Sequence, residues 1–299
     1  MKQNKEKQAL TNKVSRRTSN KPLARILEAL TKNRLAQVGM IGIIFVLAIT
    51  VLAPVLAPYD PISMDFQNML SSPSQKHVFG TDDLGRDVMS RILWGGRESL
   101  RSGFLAVIIG LGGGVILGII SGYIGGRLDD FIQRIVEILM AFPTILLLLS
   151  IIAAIGPNLT TVVIAIGLSS IPGYSRLIRG SVISAKNNEY VTAARLVGAT
   201  DNRIMFKHIL PNIIGPILVY GTLNLAGAIM LTAGLSYLGL GAQPPSPEWG
   251  AMLNYGRSYL RAAWWMSIFP GLAIFITMLS INLFGDGIRD TLDPKTREI

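Results

Sequence analysis

Six long stretches of mostly apolar residues dominate the sequence, at 36–57, 104–125, 131–155, 159–174, 213–241 and 264–284. A bilayer core needs roughly 20 such residues wound as a helix. In lipid, each backbone N–H and C=O must find its partner within the segment, which leaves the helix as the natural spanning form. The expected fold class is all-α, a polytopic membrane protein with about six transmembrane helices. Composition agrees, because only 15% of residues are charged, against roughly 25% in a soluble domain.

The apolar runs divide the chain into a basic tail (1–35), a first span (36–58), an intervening segment (59–103), a helical core (104–286) and a short C-terminal tail (287–299). The first run is too long and too deep in the chain for an ordinary signal peptide and reads as a retained anchor. Ten of the 28 Lys and Arg residues lie within the first 35 positions, from Lys2 to Arg34. A basic arm beside an apolar run suits an anionic membrane leaflet, so lipid rather than nucleic acid is the expected partner of the +10 net charge.

Six spans put both termini on one side. With the termini cytoplasmic, 21 of the 28 basic residues fall on inner segments, as the positive-inside rule requires. The awkward group is Arg86, Arg91, Arg97 and Arg101, which then lies outside. With Ile92, Leu93 and Trp94 among them, an interfacial helix leading into the second span is expected.

Within the second span Gly110, Gly114, Gly118, Gly122 and Gly126 recur at every fourth position, with Gly112 and Gly113 between them. Such a row leaves one helix face bare and lets another backbone approach closely, so Gly110, Gly114, Gly118 and Gly122 are expected helix-packing positions.

The chain contains no cysteine and only two histidines, His77 and His208. No G-x-x-x-x-G-K-[ST] loop is present to cradle phosphates, so the chain is not expected to hydrolyse ATP. No H-E-x-x-H pattern or nucleophile elbow is present either, and neither a catalytic site nor a metal site is expected. Arg134 and Glu137, three apart, suit a self-paired couple at a helix end.

The segment 176–212 reads as two short helices joined by a hinge. Asn187 or Asn188 can cap a helix through Glu189–Val197, Gly198 suits a left-handed stop, and Thr200 or Asp201 can cap a second helix ending before Pro211. The small Ala193 and Ala194 would admit a partner surface. From pattern alone, a docking knob and a loop packed on its own helices remain equally open.

The string EYVTAARLVGATDNRIMFKHILPN at 189–212 resembles the EAA loop of binding-protein-dependent ABC importer permeases. Ala193 and Ala194 match its two alanines, Gly198 its glycine, and Leu210 and Pro211 its closing pair. The usual glutamate falls at Thr192 and the usual isoleucine at His208, while Glu189 supplies a nearby carboxylate. FGTDDLGRD at 79–87, LSYLGLGAQPPSPEWG at 235–250 and FGDGIRDTLDP at 284–294 resemble the C-type subunits of dipeptide, oligopeptide and nickel permeases.

The resemblance implies a type I ABC importer permease fold in a bacterial cytoplasmic membrane, with Glu189, Ala193, Ala194, Gly198, Leu210 and Pro211 in ATPase coupling. It also implies a B-type permease, two ATPase subunits and an extracytoplasmic solute-binding protein as partners, with ATP and Mg bound by the ATPases and no cofactor in this chain. The substrate-binding residues stay unassigned. The competing class is a self-sufficient secondary transporter or channel, for which neither inverted repeats nor mid-bilayer charges are visible.

Overall fold

Proline and capping side chains decide where the apolar runs become separate helices. In the computed structural model, which describes residues 33–292 (the backbone alone at 291 and 292), α1 spans Arg34–Val51 and a short α2 Ala53–Leu56. Asn33 caps α1, its side-chain oxygen accepting from the backbone of Leu35 at 2.9 Å. Helix α3 covers Val88–Ile124, α4 Gly126–Ala141, α5 Thr144–Ile155 and α6 Leu159–Lys186. After α7 (Glu189–Leu196) and α8 (Asp201–Arg203), a π-helical turn at Ile204–Ile209 leads into α9 (Leu210–Tyr237), followed by α10 (Trp249–Gly256) and α11 (Trp265–Leu292). The basic tail through Lys32 and the end of the C-terminal tail, with Lys295 and Arg297, lie outside the described residues.

Among the described residues, five helical segments are long and apolar enough to cross a membrane, and α4 with α5 makes a sixth only as a pair bent by 91°. The expected single span at 131–155 is therefore broken. Proline disfavours the α conformation of the residue before it. Phe142, just before Pro143, is accordingly extended at φ −82°, ψ 135°, and ends α4.

Three other expectations change. The helix at the second span starts at Val88 rather than 104, so the anticipated interfacial helix and the span form one continuous rod. The fourth runs past 174 to Lys186 and carries Pro172 inside it. The second helix of the knob does not end before Pro211 but winds into α9. Pro211 has no N–H, and its ring would crowd the carbonyl four residues back in a regular helix. The π turn places the Leu210 N–H on the Met205 carbonyl, a wider winding that admits the ring.

The glycine row of α3 lies along α6. A Cβ at Gly114 would stand 2.2 Å from the Tyr174 Cβ, one at Gly110 2.0 Å from the Ser170 Oγ, and one at Gly118 2.7 Å from the Ser175 carbonyl oxygen. At Gly122 the nearest atoms, Arg179 O and Val182 Cβ, would be 2.9 Å away. Steps along α3 match steps in the same direction along α6, so the two helices are parallel and touch nearly backbone to backbone. Gly126 does not continue the row; it sits at φ +61° with nothing within 4 Å of a Cβ. Elsewhere Gly39 and Gly287 bring α1 against α11, a Cβ at Gly39 falling 2.4 Å from the Phe284 nitrogen.

Candidate functional site

The bundle has two distinct ends, a polar cap built around residues 79–87 and a knob built from 189–211. The cap holds the arginines that sat awkwardly in the sequence. Asp87 caps α3, accepting from the Ser90 N–H at 2.7 Å, and lies 3.0 Å from the His77 Nδ1. The Arg86 Nε donates to Asp82 at 2.6 Å, and the Arg91 Nε lies 3.6 Å from the same carboxylate. Arg97 donates to the Thr50 and Val51 carbonyls at the end of α1, at 3.0 and 2.9 Å, where the helix dipole is negative.

Two of the motif strings meet here. The Trp249 indole donates to the Ile92 carbonyl and the Trp265 indole to the Thr81 carbonyl, each at 2.9 Å. Glu248 caps α10 through the Ala251 N–H at 2.9 Å and accepts from the Ser99 hydroxyl at 3.0 Å. Burial raises its carboxyl above the usual glutamate range. These bonds tie the start of α3 to α10 and the Thr81 turn to the start of α11 at this end of the bundle.

At the opposite end α7 stops as its sequence requires. Gly198 sits at φ +82°, its N–H bonding to the Arg195 carbonyl at 3.0 Å while the Ala199 N–H bonds to Ala194 at 3.1 Å. That pair of bonds is the Schellman motif, which closes the orphan carbonyls of a helix end and favours glycine. Asn188 and Thr200 hold the two N-cap positions, but neither side chain makes a capping bond. The caps anticipated from residue type are therefore backbone turns only.

What fixes the knob is tertiary. Val191 is buried with Ile204 and Ile209, forming one apolar cluster with Ile178 and Val182 of α6. The Tyr123 hydroxyl at the end of α3 donates to Asp201 at 2.5 Å and accepts from Arg195 at 3.4 Å. This bond shifts the Arg195 guanidinium upward from its usual range. Lys186 donates to the Tyr123 carbonyl. Beside them Arg179 grips Asp129 with two bonds of 2.7 and 2.6 Å, the bidentate geometry in which arginine pairs best with carboxylate. Arg134 and Glu137 lie 3.8 Å apart and well exposed, a pairing worth little.

The outer face of the knob is left apolar. Leu196 and Val197 are 84% and 87% exposed, and Thr192 and Ala193 beside them are exposed as well. Glu189 is exposed in the first turn of α7, Ala194 and Leu210 are half-buried, and Pro211 is exposed. The expected residues are gathered on one small projection. Of the residues that hold it there, Asp201 is marked by the sequence only as a cap candidate, and Tyr123 and Lys186 escape sequence reasoning, since nothing local marks a tyrosine as the partner of an aspartate so far along the chain. Among the described residues, no three His, Asp or Glu side chains gather as metal ligands would.

Residues 114–298 match the family model described as binding-protein-dependent transport system inner membrane component. The chain belongs to that family. Residues 21–73 match the N-terminal transmembrane domain of oligopeptide transport permease C. The dipeptide transport system permease protein DppC of Alkalihalophilus pseudofirmus is 44% identical over 280 residues, covering 94% of this chain and 92% of that protein. The di/tripeptide transport system permease protein DppC of Pseudomonas aeruginosa is 42% identical over 92% of this chain and 93% of that protein. The glutathione transport system permease protein GsiD of Pectobacterium atrosepticum is 45% identical over 85% of each.

Among solved structures, an inward-facing MetNI methionine ABC transporter chain superposes with a TM-score of 0.52 at 21% identity, over 69% of this chain and 97% of that one. That likeness supports the ABC permease fold. A multi-pass inner-membrane ABC permease subunit works with ATPase and binding-protein partners, and the self-sufficient secondary transporter is set aside.

Proposed function

We propose that this chain is one half of the membrane passage of an importer for short peptides, paired with a related B-type permease and driven by ATP hydrolysed on partner ATPases. The knob faces the cytoplasm with both termini, and Glu189, Ala193, Ala194, Gly198, Leu210 and Pro211 belong to the segment seated on an ATPase subunit. ATP and Mg are bound there and not by this chain. The observation that carries the coupling assignment is the pair Leu196 and Val197, apolar and more than four-fifths exposed on a rigidly anchored projection. An exposed apolar tip on a fixed support is a docking anchor, because its rotamers and backbone are ordered before the partner arrives. Support for peptide as solute comes from the dipeptide, di/tripeptide and glutathione permeases it is similar to.

The mechanism follows from rigid linkage. When the ATPases close, a seated knob must move with them. Its bonds from Tyr123 to Asp201 and from Lys186 to the Tyr123 carbonyl pass that motion to the ends of α3 and α6. Transport then requires that nucleotide and loaded receptor favour different states of the bundle.

A series at Gly198 tests the assignment. Its φ of +82° has open space around a Cβ, so only backbone strain changes. Gly198→Val is expected to add about 1–3 kcal/mol of strain at the cap and to lower uptake by the assembled importer several-fold or more. Gly198→Asn, which tolerates the left-handed region, is expected to keep most of it. Normal uptake and normal receptor-stimulated ATPase in the valine variant would remove Gly198 from coupling.

A further inference from the structure

A cavity of about 300 Å³ lies between α3, the α4–α5 bend, α6 and α9. Its size is at the small end of the range for ligand sites. Among the described residues, no charged side chain lines it. The polar side chains that α6 and α9 bring to its lining, among apolar ones, are Ser169, Ser170, Tyr174, Tyr220 and Asn224. The α4–α5 bend contributes the apolar Met140, Phe142 and Leu147, together with Thr144.

The Tyr174 hydroxyl is the unusual group. The residue is 1% exposed, and the hydroxyl is buried without a hydrogen-bond partner among the described residues. A buried donor left unsatisfied costs about 1–3 kcal/mol, so its persistence in a cavity wall points to a partner that visits. The other polar groups supply acceptors. Ser169 and Ser170 donate to the Ile166 and Gly167 carbonyls of their own helix, at 3.0 and 2.8 Å, and keep oxygen lone pairs free. Asn224 donates its amide N–H to the Tyr220 carbonyl at 2.7 Å, which leaves its side-chain oxygen as an acceptor.

We infer that this cavity is a waystation for the peptide unit of the solute, Tyr174 donating to the amide carbonyl and Asn224 accepting from the amide N–H while the bend holds an adjoining side chain. The inference rests on the peptide-import reading. Uncharged polar groups beside apolar side chains match an amide next to a side chain of the solute. Neutral hydrogen bonds of this kind hold a passing solute weakly enough to release it.

The test uses the whole importer in proteoliposomes, with binding protein saturated by a radiolabelled dipeptide. Tyr174→Phe keeps the ring against Gly114 and removes only the orphan hydroxyl, so a purely structural role would leave stability unchanged or raised. The expected result is a roughly 2- to 10-fold lower uptake rate at saturating loaded receptor, with receptor-stimulated ATPase unchanged. Asn224→Leu is expected to act likewise, and a dipeptide bearing a diazirine side chain is expected to label the Met140–Tyr174 region during turnover. Wild-type uptake in both variants, or labelling confined to other helices, would overturn the cavity while leaving peptide import standing. An assembled, ATP-hydrolysing wild-type complex that takes up no peptide would overturn both readings.

Discussion

Replacing Leu196 and Val197 together with aspartate is expected to abolish uptake and to strip the ATPase from the purified complex, while the amount of inserted permease stays the same. The two halves of that result have separate causes. Both side chains are more than four-fifths exposed in this chain, so neither contributes to its own core. Aspartates in the last turn of α7 oppose its dipole by only about 0.3–1 kcal/mol each, too little to unfold the bundle. On a partner, however, the same tip would sit desolvated. There an unpaired carboxylate costs several kcal/mol beyond the lost apolar contact, which weakens association by about 100-fold or more, since about 1.4 kcal/mol is a factor of ten. Co-purification and pull-down against the ATPase read the loss, and gel quantification of membranes reads the unchanged insertion. Retention of a stoichiometric ATPase would show that the tip lies outside the contact.

The second large effect is structural. Gly114→Leu is expected to lower the thermal midpoint of the purified chain by roughly 5–10 °C and to cut its monodisperse yield several-fold. Even a methyl group would stand 2.2 Å from the Tyr174 Cβ, far inside contact distance. Neither helix can yield locally, because Gly110, Gly118 and Gly122 bring the same two backbones together above and below. Gly112→Leu is the control, for a Cβ there meets nothing within 4 Å, and it is expected to be tolerated. Equal midpoints for the two variants would mean that the seam gives way more easily than its spacing allows.

The glycine seam was legible because its period is set by one helix alone. The partner was not, since nothing in residues 110–122 identifies Tyr174 and Val182 as the facing side chains. The broken third run shows the complementary limit. Hydropathy over 131–155 is continuous, and only Pro143 with its effect on Phe142 reveals the 91° bend. At Pro211 the same residue type misled in the other direction, because the π turn upstream carries the helix through.

Charge reading met a similar limit. Arg86 and Arg91 looked out of place on an outer segment because their neutralising partner Asp82 closes on them only when the cap folds. The knob itself was readable as two helices and a glycine stop. Its rigidity was not, because the Tyr123 to Asp201 bond spans two helices that no local pattern links.

The coupling assignment can be tested directly because the chain has no cysteine of its own. Val197→Cys places one reactive thiol at the tip of the knob. In sealed vesicles of the active importer, a membrane-impermeant maleimide is expected to label it only from the side bearing the ATPases, and only after they are stripped away. Labelling from the receptor side, or full labelling with ATPases bound and uptake intact, would contradict the docking of this knob on the ATPase.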